Sequence, residues 1–257
     1  MYYNKYRLLF TGAGSYDADA QAYFTATGIT DNTQKSAINT LVLAFKSYNI
    51  WTKMTAVYPF VGGTSSTHSY NLINSATFQI TWSGSLTHDS NGILSGGGVG
   101  LTGIIPSSHL SLNSVHASIY SKTNTSTGSF DFGCGDNSSF FYGFIKNAGT
   151  SEILINDGTG SYPSISNSSG SFVFNRSGSS AVQVYRNGSS IHTSSVTSTS
   201  LPTTYQFAVA GLYDSGSIVG SSKVIAFTTV GSSLSSTEAS NMHTAVQAFQ
   251  TSLLRNI

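Results

Sequence analysis

The clearest alternation of hydrophobic and polar positions lies between residues 181 and 194. Alternating residues flank Asn187-Gly188 on both sides, and an Asn-Gly pair supplies the two positive-φ positions that a two-residue type I′ turn requires. The pattern predicts a β-hairpin in which Val184 faces Ile191, because partners in a tight antiparallel hairpin keep a constant sum of residue numbers.

This hairpin has two different faces. One face carries three apolar side chains, Val182, Val184 and Ile191. The opposite face carries three polar or amphipathic side chains, Gln183, Tyr185 and His192. Antiparallel sheets commonly leave one face in water, which favours an ordinary solvated face for this second group. The alternative is that the second group contacts a ligand or another subunit.

The middle of the chain shows the same strand-and-turn pattern without a helical period. Turn signals separate ten predicted strands, at residues 77–83, 115–122, 128–133, 140–146, 151–155, 171–175, 181–186, 189–194, 204–212 and 222–229. Many short strands separated by turns are typical of an antiparallel sandwich or barrel and unlike a βαβ fold. The predicted fold class is therefore all-β, an antiparallel jelly-roll sandwich.

Helical patterns lie at the two ends of this β region. Residues 17–48 predict a helical hairpin that begins at an N-capping Asp17. Ser235 and Glu238 have the spacing of a capping box, which predicts a C-terminal helix over 235–254. We expect residues 1–50 to form an N-terminal arm and residues 51–257 to form a sandwich closed by that helix.

Composition narrows the classes of partner. Only 8% of residues are charged and the net charge is +1, with the lysines and arginines scattered singly, so we expect no nucleic-acid partner. The single cysteine, Cys134, cannot form an intrachain disulfide and is typical of a reducing compartment. The apolar run Leu8-Leu9-Phe10 is too short for a signal peptide, and we expect no membrane insertion.

The sequence offers little for catalysis or metal binding. Glycoside hydrolases use two flanking carboxylates, but the chain has only two glutamates, Glu152 and the capping residue Glu238, so we expect no enzyme activity. The histidines lack metal-site spacing. Loop oxygens such as those of Asp89 and Asn91 could hold Ca²⁺, yet such residues primarily form turns, and no motif supports a cofactor.

Two groups of motifs resemble known families. The Val184–Gly188 hairpin, a strand at 223–229 and the closing segment 231–238 resemble a laminin-G-like, concanavalin A-type jelly roll. A second resemblance covers most of the chain and rests on segments 27–31, 50–54, 58–63, 87–92 and 248–255. Together these segments are similar to structural proteins of tailed-bacteriophage virions, such as fibres, tips or decorations.

The second resemblance implies a location and partners, and it supplies no catalytic residues. We predict a virion protein, assembled in the bacterial cytoplasm as a homo-oligomer with other virion proteins, that displays a lectin-like jelly roll for attachment to host-surface glycans. The alternative is a carbohydrate-binding module that uses Gln183, Tyr185 and His192. A polysaccharide-degrading enzyme is a third, disfavoured reading because carboxylates are scarce.

Overall fold

The computed structural model describes residues 16–146 and 149–257, which form two β-sheets lying face to face. The described helices are α1 (Ala18–Thr27), α2 (Asn32–Ser47), α3 (Ser65–His68), α4 (Pro106–His109) and α5 (Ser236–Ser252). The described strands are β1 (Met54–Tyr58), β2 (Thr81–Ser83), β3 (Leu86–Asp89), β4 (Gly92–Ser95), β5 (Val99–Leu101), β6 (Val115–Ser121), β7 (Phe132–Asp136), β8 (Ser139–Phe144), β9 (Gly149–Thr150), β10 (Glu152–Ile155), β11 (Ser164–Ile165), β12 (Gly170–Gly178), β13 (Ala181–Arg186), β14 (Ser189–Ser194), β15 (Ala208–Val209), β16 (Gly211–Asp214), β17 (Ser217–Gly220) and β18 (Val224–Gly231).

The strands pair almost entirely in antiparallel fashion. In sheet A the order is β14-β13-β12-β6-β18-β4-β3, and β1 also pairs with β18. In sheet B the order is β10-β8-β7-β15-β5-β2, with β16 parallel to β7 and β17 antiparallel to β16. The short strands β9 and β11 pair separately. The predicted antiparallel β-sandwich is confirmed.

The space between the sheets is filled by a hydrophobic core rich in aromatic rings. Phe132 of sheet B lies 4.8 Å from Phe174 of sheet A, measured between ring centroids, and 5.9 Å from Phe207. All three side chains are fully buried. Alternation along the strands places these rings on the inner faces, as a sandwich requires.

A layer of helices covers the outer face of sheet A. Phe45 of α2 and Phe249 of α5 both contact Phe227 of β18, with ring centroids 6.5 and 5.9 Å apart. Lys46 of α2 bonds to Asp17, the N-cap of α1, at 2.7 Å, which ties the two N-terminal helices together. The predicted helical hairpin and the predicted C-terminal helix are confirmed, and Ser235 and Glu238 form the capping box.

Arg255, just beyond α5, anchors the end of the described chain to the sandwich. Its buried guanidinium donates hydrogen bonds to the carbonyl oxygens of Phe60, Pro59 and Ala226 at 2.7 to 3.1 Å, and to Gln250 Oε1 at 2.7 Å. Burial lowers the pKa of Arg255 to about 10, so the group stays charged at neutral pH. The guanidinium therefore satisfies backbone carbonyls from two separate segments of the chain.

Several predicted strands are shorter or interrupted in the structure, among them 77–83, 128–133, which is strand only from Phe132, and 204–212. Residues 77–80 are not strand, because Phe78 has a left-handed φ of 54° and its carbonyl accepts a hydrogen bond from the Tyr58 hydroxyl. Segment 204–212 contains two strands, β15 and the start of β16, separated by Ala210 with φ 57°. The pattern of apolar residues does not show where a non-glycine residue adopts a left-handed backbone conformation.

None of the described helices combines the length and apolarity needed to span a lipid bilayer.

Two histidines are buried in uncharged form. His116 Nδ1 donates to the Ser232 carbonyl at 2.6 Å, so its Nε2 accepts from the Thr229 hydroxyl at 3.0 Å. His68 faces His88 with their Nδ1 atoms 3.1 Å apart, and one of these nitrogens must donate to the other. Burial lowers the pKa of His116 to about 4 and that of His68 to about 3.

Because these two histidines are buried, we expect the folded protein to lose stability in acid. Below a pH of about 6.5, the pKa of histidine in the unfolded chain, the unfolded chain binds protons that the folded chain excludes. The free energy of unfolding therefore decreases as the pH is lowered, until the pKa of the folded state is reached. Between pH 7 and pH 5 we expect each of His116 and His68 to lower the free energy of unfolding by about 2 kcal/mol. Urea denaturation at several pH values measures the change. His116→Gln should flatten the slope and His109→Gln, at an exposed position, should not; equal slopes in both variants would contradict the assignment.

Candidate functional site

The two sheets differ in how their outer faces are covered. The helices α1, α2 and α5 share one hydrophobic cluster with the outer face of sheet A. The outer face of sheet B has no counterpart to this helical layer among the described residues. Large apolar side chains on an uncovered sheet face mark a candidate interaction surface.

A row of aromatic rings lies on this uncovered face. Along β8 the buried residues alternate with half-exposed Phe140, Tyr142 and Phe144, and Phe130 joins them from the segment before β7. The ring of Phe130 lies 5.0 Å from that of Tyr142 and 5.7 Å from that of Phe144, and Phe140 lies 5.7 Å from Tyr142. These four residues are called the aromatic row below.

Glycines in the neighbouring strand set the position of the row. Gly133 pairs with Tyr142 and Gly135 pairs with Phe140 across β7 and β8. A Cβ atom added to Gly135 would lie 2.8 Å from the Phe140 ring, and one added to Gly133 would lie 2.5 Å from Tyr142 Cβ. Because β7 presents no side chain at these two positions, the aromatic side chains can lie against the strand instead of standing away from it.

Two carboxylates border the aromatic row. Glu152 Oε1 accepts a hydrogen bond from the Tyr142 hydroxyl at 3.3 Å. Asp214, paired with Gly135, lies beside Phe140 and accepts from the Ser215 hydroxyl. Burial and the Glu152 carboxylate raise the pKa of Tyr142, so its hydroxyl remains a donor. The surface therefore combines apolar ring faces with hydrogen-bond acceptors at their edge.

The three residues predicted to form one contact face of the hairpin, Gln183, Tyr185 and His192, do not form one exposed surface in the structure. The turn at Asn187-Gly188 is confirmed, with positive φ at both residues. A β-bulge between Val184 and Tyr185, however, pairs Val184 with His192 instead of Ile191. Because directly opposed residues share a face, His192 lies on the side of Val184, away from Tyr185.

Burial separates the predicted residues further. Tyr185 is only 2% exposed and belongs to the cluster under the helical layer, where its hydroxyl donates to Gln183 Oε1 at 2.7 Å. The expectation of a solvated face was wrong for Tyr185, because sequence alternation cannot show that helices cover this side of sheet A. Gln183 and His192 are half-buried.

Two loop carboxylates that could supply Ca²⁺ ligands, Asp89 and Asp157, accept hydrogen bonds within turns. Asp89 Oδ1 accepts from the Asn91 backbone at 2.7 Å. Asp157 accepts from Gly160 N and pairs with the buried Arg176 at 2.8 Å. Across the described ranges, no three His, Cys, Asp or Glu side chains gather in a geometry that could hold a metal ion.

The sequence contains a signal for the aromatic row. Segment 140–144 reads Phe-Phe-Tyr-Gly-Phe, so an aromatic residue stands at every second position of a predicted strand. Which of the two faces is open depends on the position of the helices. The row was therefore predicted as strand but not as a surface.

Comparison with known proteins identifies the fold alone. No family model matches the chain, and no curated protein sequence matches it. Domain 4 of an extracellular GH43 arabinanase from Geobacillus stearothermophilus, solved with arabinotriose, is similar with a TM-score of 0.53 and 16% identity, over 74% of this chain and 98% of that domain. A Trypanosoma rangeli sialidase mutant displaying trans-sialidase activity has a TM-score of 0.54 and 10% identity, over 83% of this chain and 39% of the sialidase.

A second Trypanosoma rangeli sialidase structure, solved with the inhibitor DANA, has a TM-score of 0.51 and 12% identity. It covers 81% of this chain, and this chain spans 38% of the sialidase, so only part of that enzyme is comparable. The described chain thus shares a β-sandwich fold with domains of carbohydrate-active proteins.

The burial of Tyr185 predicts a large stability loss on truncation. Tyr185→Ala should lower the free energy of unfolding by about 3–5 kcal/mol, because it opens a cavity between sheet A and the helices. His192→Ala, on the edge strand β14, should change it by no more than about 1 kcal/mol. Chemical denaturation of both variants measures the difference. A loss for Tyr185→Ala as small as that for His192→Ala would mean that the helices do not cover this face.

Proposed function

We propose that this protein is a carbohydrate-binding β-sandwich that holds a glycan on the aromatic row of sheet B. The observation that carries the proposal is an uncovered row of four aromatic rings bordered by Glu152 and Asp214. The similar domain solved with arabinotriose and the sialidases support it, since these proteins act on or bind sugars and share the fold. The virion role remains a prediction from the sequence resemblance.

The chemistry of the surface suits a sugar. One face of a sugar ring presents C–H groups, which pack on an aromatic ring and release water from both apolar surfaces. The hydroxyls around the sugar can donate to the oxygens of Glu152 and Asp214, so the polar edge is satisfied as well. A surface of rings alone would suit a protein partner equally, and the bordering carboxylates favour the sugar.

The length of the row suits an oligosaccharide more than a single sugar. Residues four apart on a strand are separated by about 13 Å, which is the distance from Phe140 to Phe144 along β8. The row lies along a sheet face that no described helix covers, which favours contact with the side of an extended chain. Binding to such an open surface is expected to be weak, with dissociation constants of roughly 0.1–1 mM.

Glycan binding should depend on the rings of the row. We expect Tyr142→Ala and Phe144→Ala each to weaken binding by about tenfold, whereas Tyr142→Phe, which keeps the ring, should weaken it much less. A glycan array followed by affinity electrophoresis in soluble arabinan and other neutral polysaccharides provides the measurement.

The matched control is Leu43→Ala. Leu43 is 49% exposed on α2, so this variant removes an exposed apolar side chain from the opposite side of the molecule. It should bind as the parent does. If no glycan is retained, or if Tyr142→Ala binds as well as Leu43→Ala, the aromatic row is not a sugar site.

A further inference from the structure

A cavity lies at one rim of sheet A, on the opposite sheet from the aromatic row. It has a volume of about 300 Å³ and lies between the β3–β4 hairpin, the end of β6 and the start of β18. Leu94, 42% exposed, and Val224 form an apolar side of this rim pocket. Apolar lining with a few convergent polar groups is typical of small-molecule sites.

The rim pocket contains an ammonium group without a contacting carboxylate. Lys122 Nζ donates to the neutral amide oxygen of Asn91 at 2.6 Å. The ion pairs found in the described residues involve other lysines and arginines, so no carboxylate lies within salt-bridge distance of Lys122. Its positive charge is therefore available to an anionic ligand.

A second cation strengthens the positive potential. Arg255 is buried, and its hydrogen-bond partners are all uncharged oxygens, one of them the carbonyl of Ala226, two residues along β18 from Val224. Burial and repulsion from Arg255 lower the pKa of Lys122, and the nearby Asp89 carboxylate acts in the opposite direction. Two cations, Lys122 and Arg255, interact here with one carboxylate, Asp89, so an anion bound beside Lys122 would offset the remaining positive charge.

The pocket also offers a hydrogen-bond acceptor to hydroxyl groups. Asp89 Oδ1 is fixed by the Asn91 backbone N–H at 2.7 Å, while Oδ2 has no hydrogen-bond partner among the described residues. The Thr87 hydroxyl also lines the cavity. Because the Asp89 carboxylate can accept a hydrogen bond beside the Lys122 ammonium, the lining suits a ligand that carries hydroxyl groups as well as an anionic group.

We propose that the rim pocket binds a carboxylate-bearing polyol, the chemistry of an acidic sugar. The ligand carboxylate contacts Lys122, a ligand hydroxyl donates to Asp89, and the ligand C–H face packs on Leu94 and Val224. The site is independent of the aromatic row, because the two surfaces lie on different sheets.

Titration calorimetry and saturation-transfer NMR test the proposal with methyl glucuronide and N-acetylneuraminic acid as probes. We expect both acids to bind in the range of roughly 1–10 mM, and methyl glucoside and acetate, which each lack one half of the chemistry, to bind at least about tenfold more weakly. Gluconate distinguishes the two possible sources of such a ligand, a free sugar acid and an acidic residue of a glycan. Binding of gluconate as tight as that of the ring acids supports a free sugar acid, and weaker binding supports an acidic residue of a glycan.

Variants assign the binding to this pocket. Lys122→Met should weaken binding of the acidic probes by about tenfold or more, while Lys35→Met on α2 should leave their binding unchanged. Thermal melting checks that both variants fold. Phe144→Ala should leave acidic-probe binding intact, so failure of the aromatic row is distinguishable from failure of this site. No binding by the parent, equal binding of methyl glucoside or acetate, or undiminished binding by Lys122→Met would each overturn the proposal.

Discussion

The structure depends on the burial of both faces of sheet A. The central strands β6, β12 and β18 are buried at nearly every position, so hydrophobic residues point both toward sheet B and away from it. An antiparallel sheet that leaves one face in water commonly alternates buried apolar and exposed polar positions, and the central strands of sheet A lack this alternation. Because Tyr120, Val173 and Phe227 are apolar on the outer side, the sandwich requires the layer formed by α1, α2 and α5.

That requirement makes the molecule asymmetric. One sheet has a helical cover, and the other presents half-exposed aromatic rings to its surroundings. Glycines at 133 and 135 allow the rings to lie against the sheet, and Glu152 supplies a polar partner for Tyr142. The proposed sugar surface thus follows from where the helices pack, and the rim pocket lies where the β3–β4 hairpin leaves the edge of the covered sheet.

Buried charges connect elements that are distant in sequence. Lys223, just before β18 in sheet A, bonds to Asp131, just before β7 in sheet B, at 3.2 Å, and both side chains are inaccessible to solvent. Burial raises the pKa of Asp131, against the effect of its lysine partner. Removing one member would leave the other unpaired in the core, which is strongly destabilising, whereas an intact pair chiefly specifies which segments come together.

Local patterns determined much of the fold. The Asn187-Gly188 turn, the capping box at Ser235 and the alternation along β8 depend on neighbours within a few residues, and the structure agrees with all three. The tertiary structure decided which faces are open. Tyr185 and Tyr142 both alternate with buried residues on strands, yet helices bury the first and leave the second half-exposed. A one-residue bulge places His192 on the face of the hairpin opposite to the predicted one. Tertiary packing alone brings Lys122, Asn91 and Arg255 near one another. The sequence by itself therefore determined the elements and their periodicity, whereas only long-range packing decided which side chains meet solvent, because exposure depends on elements far away along the chain.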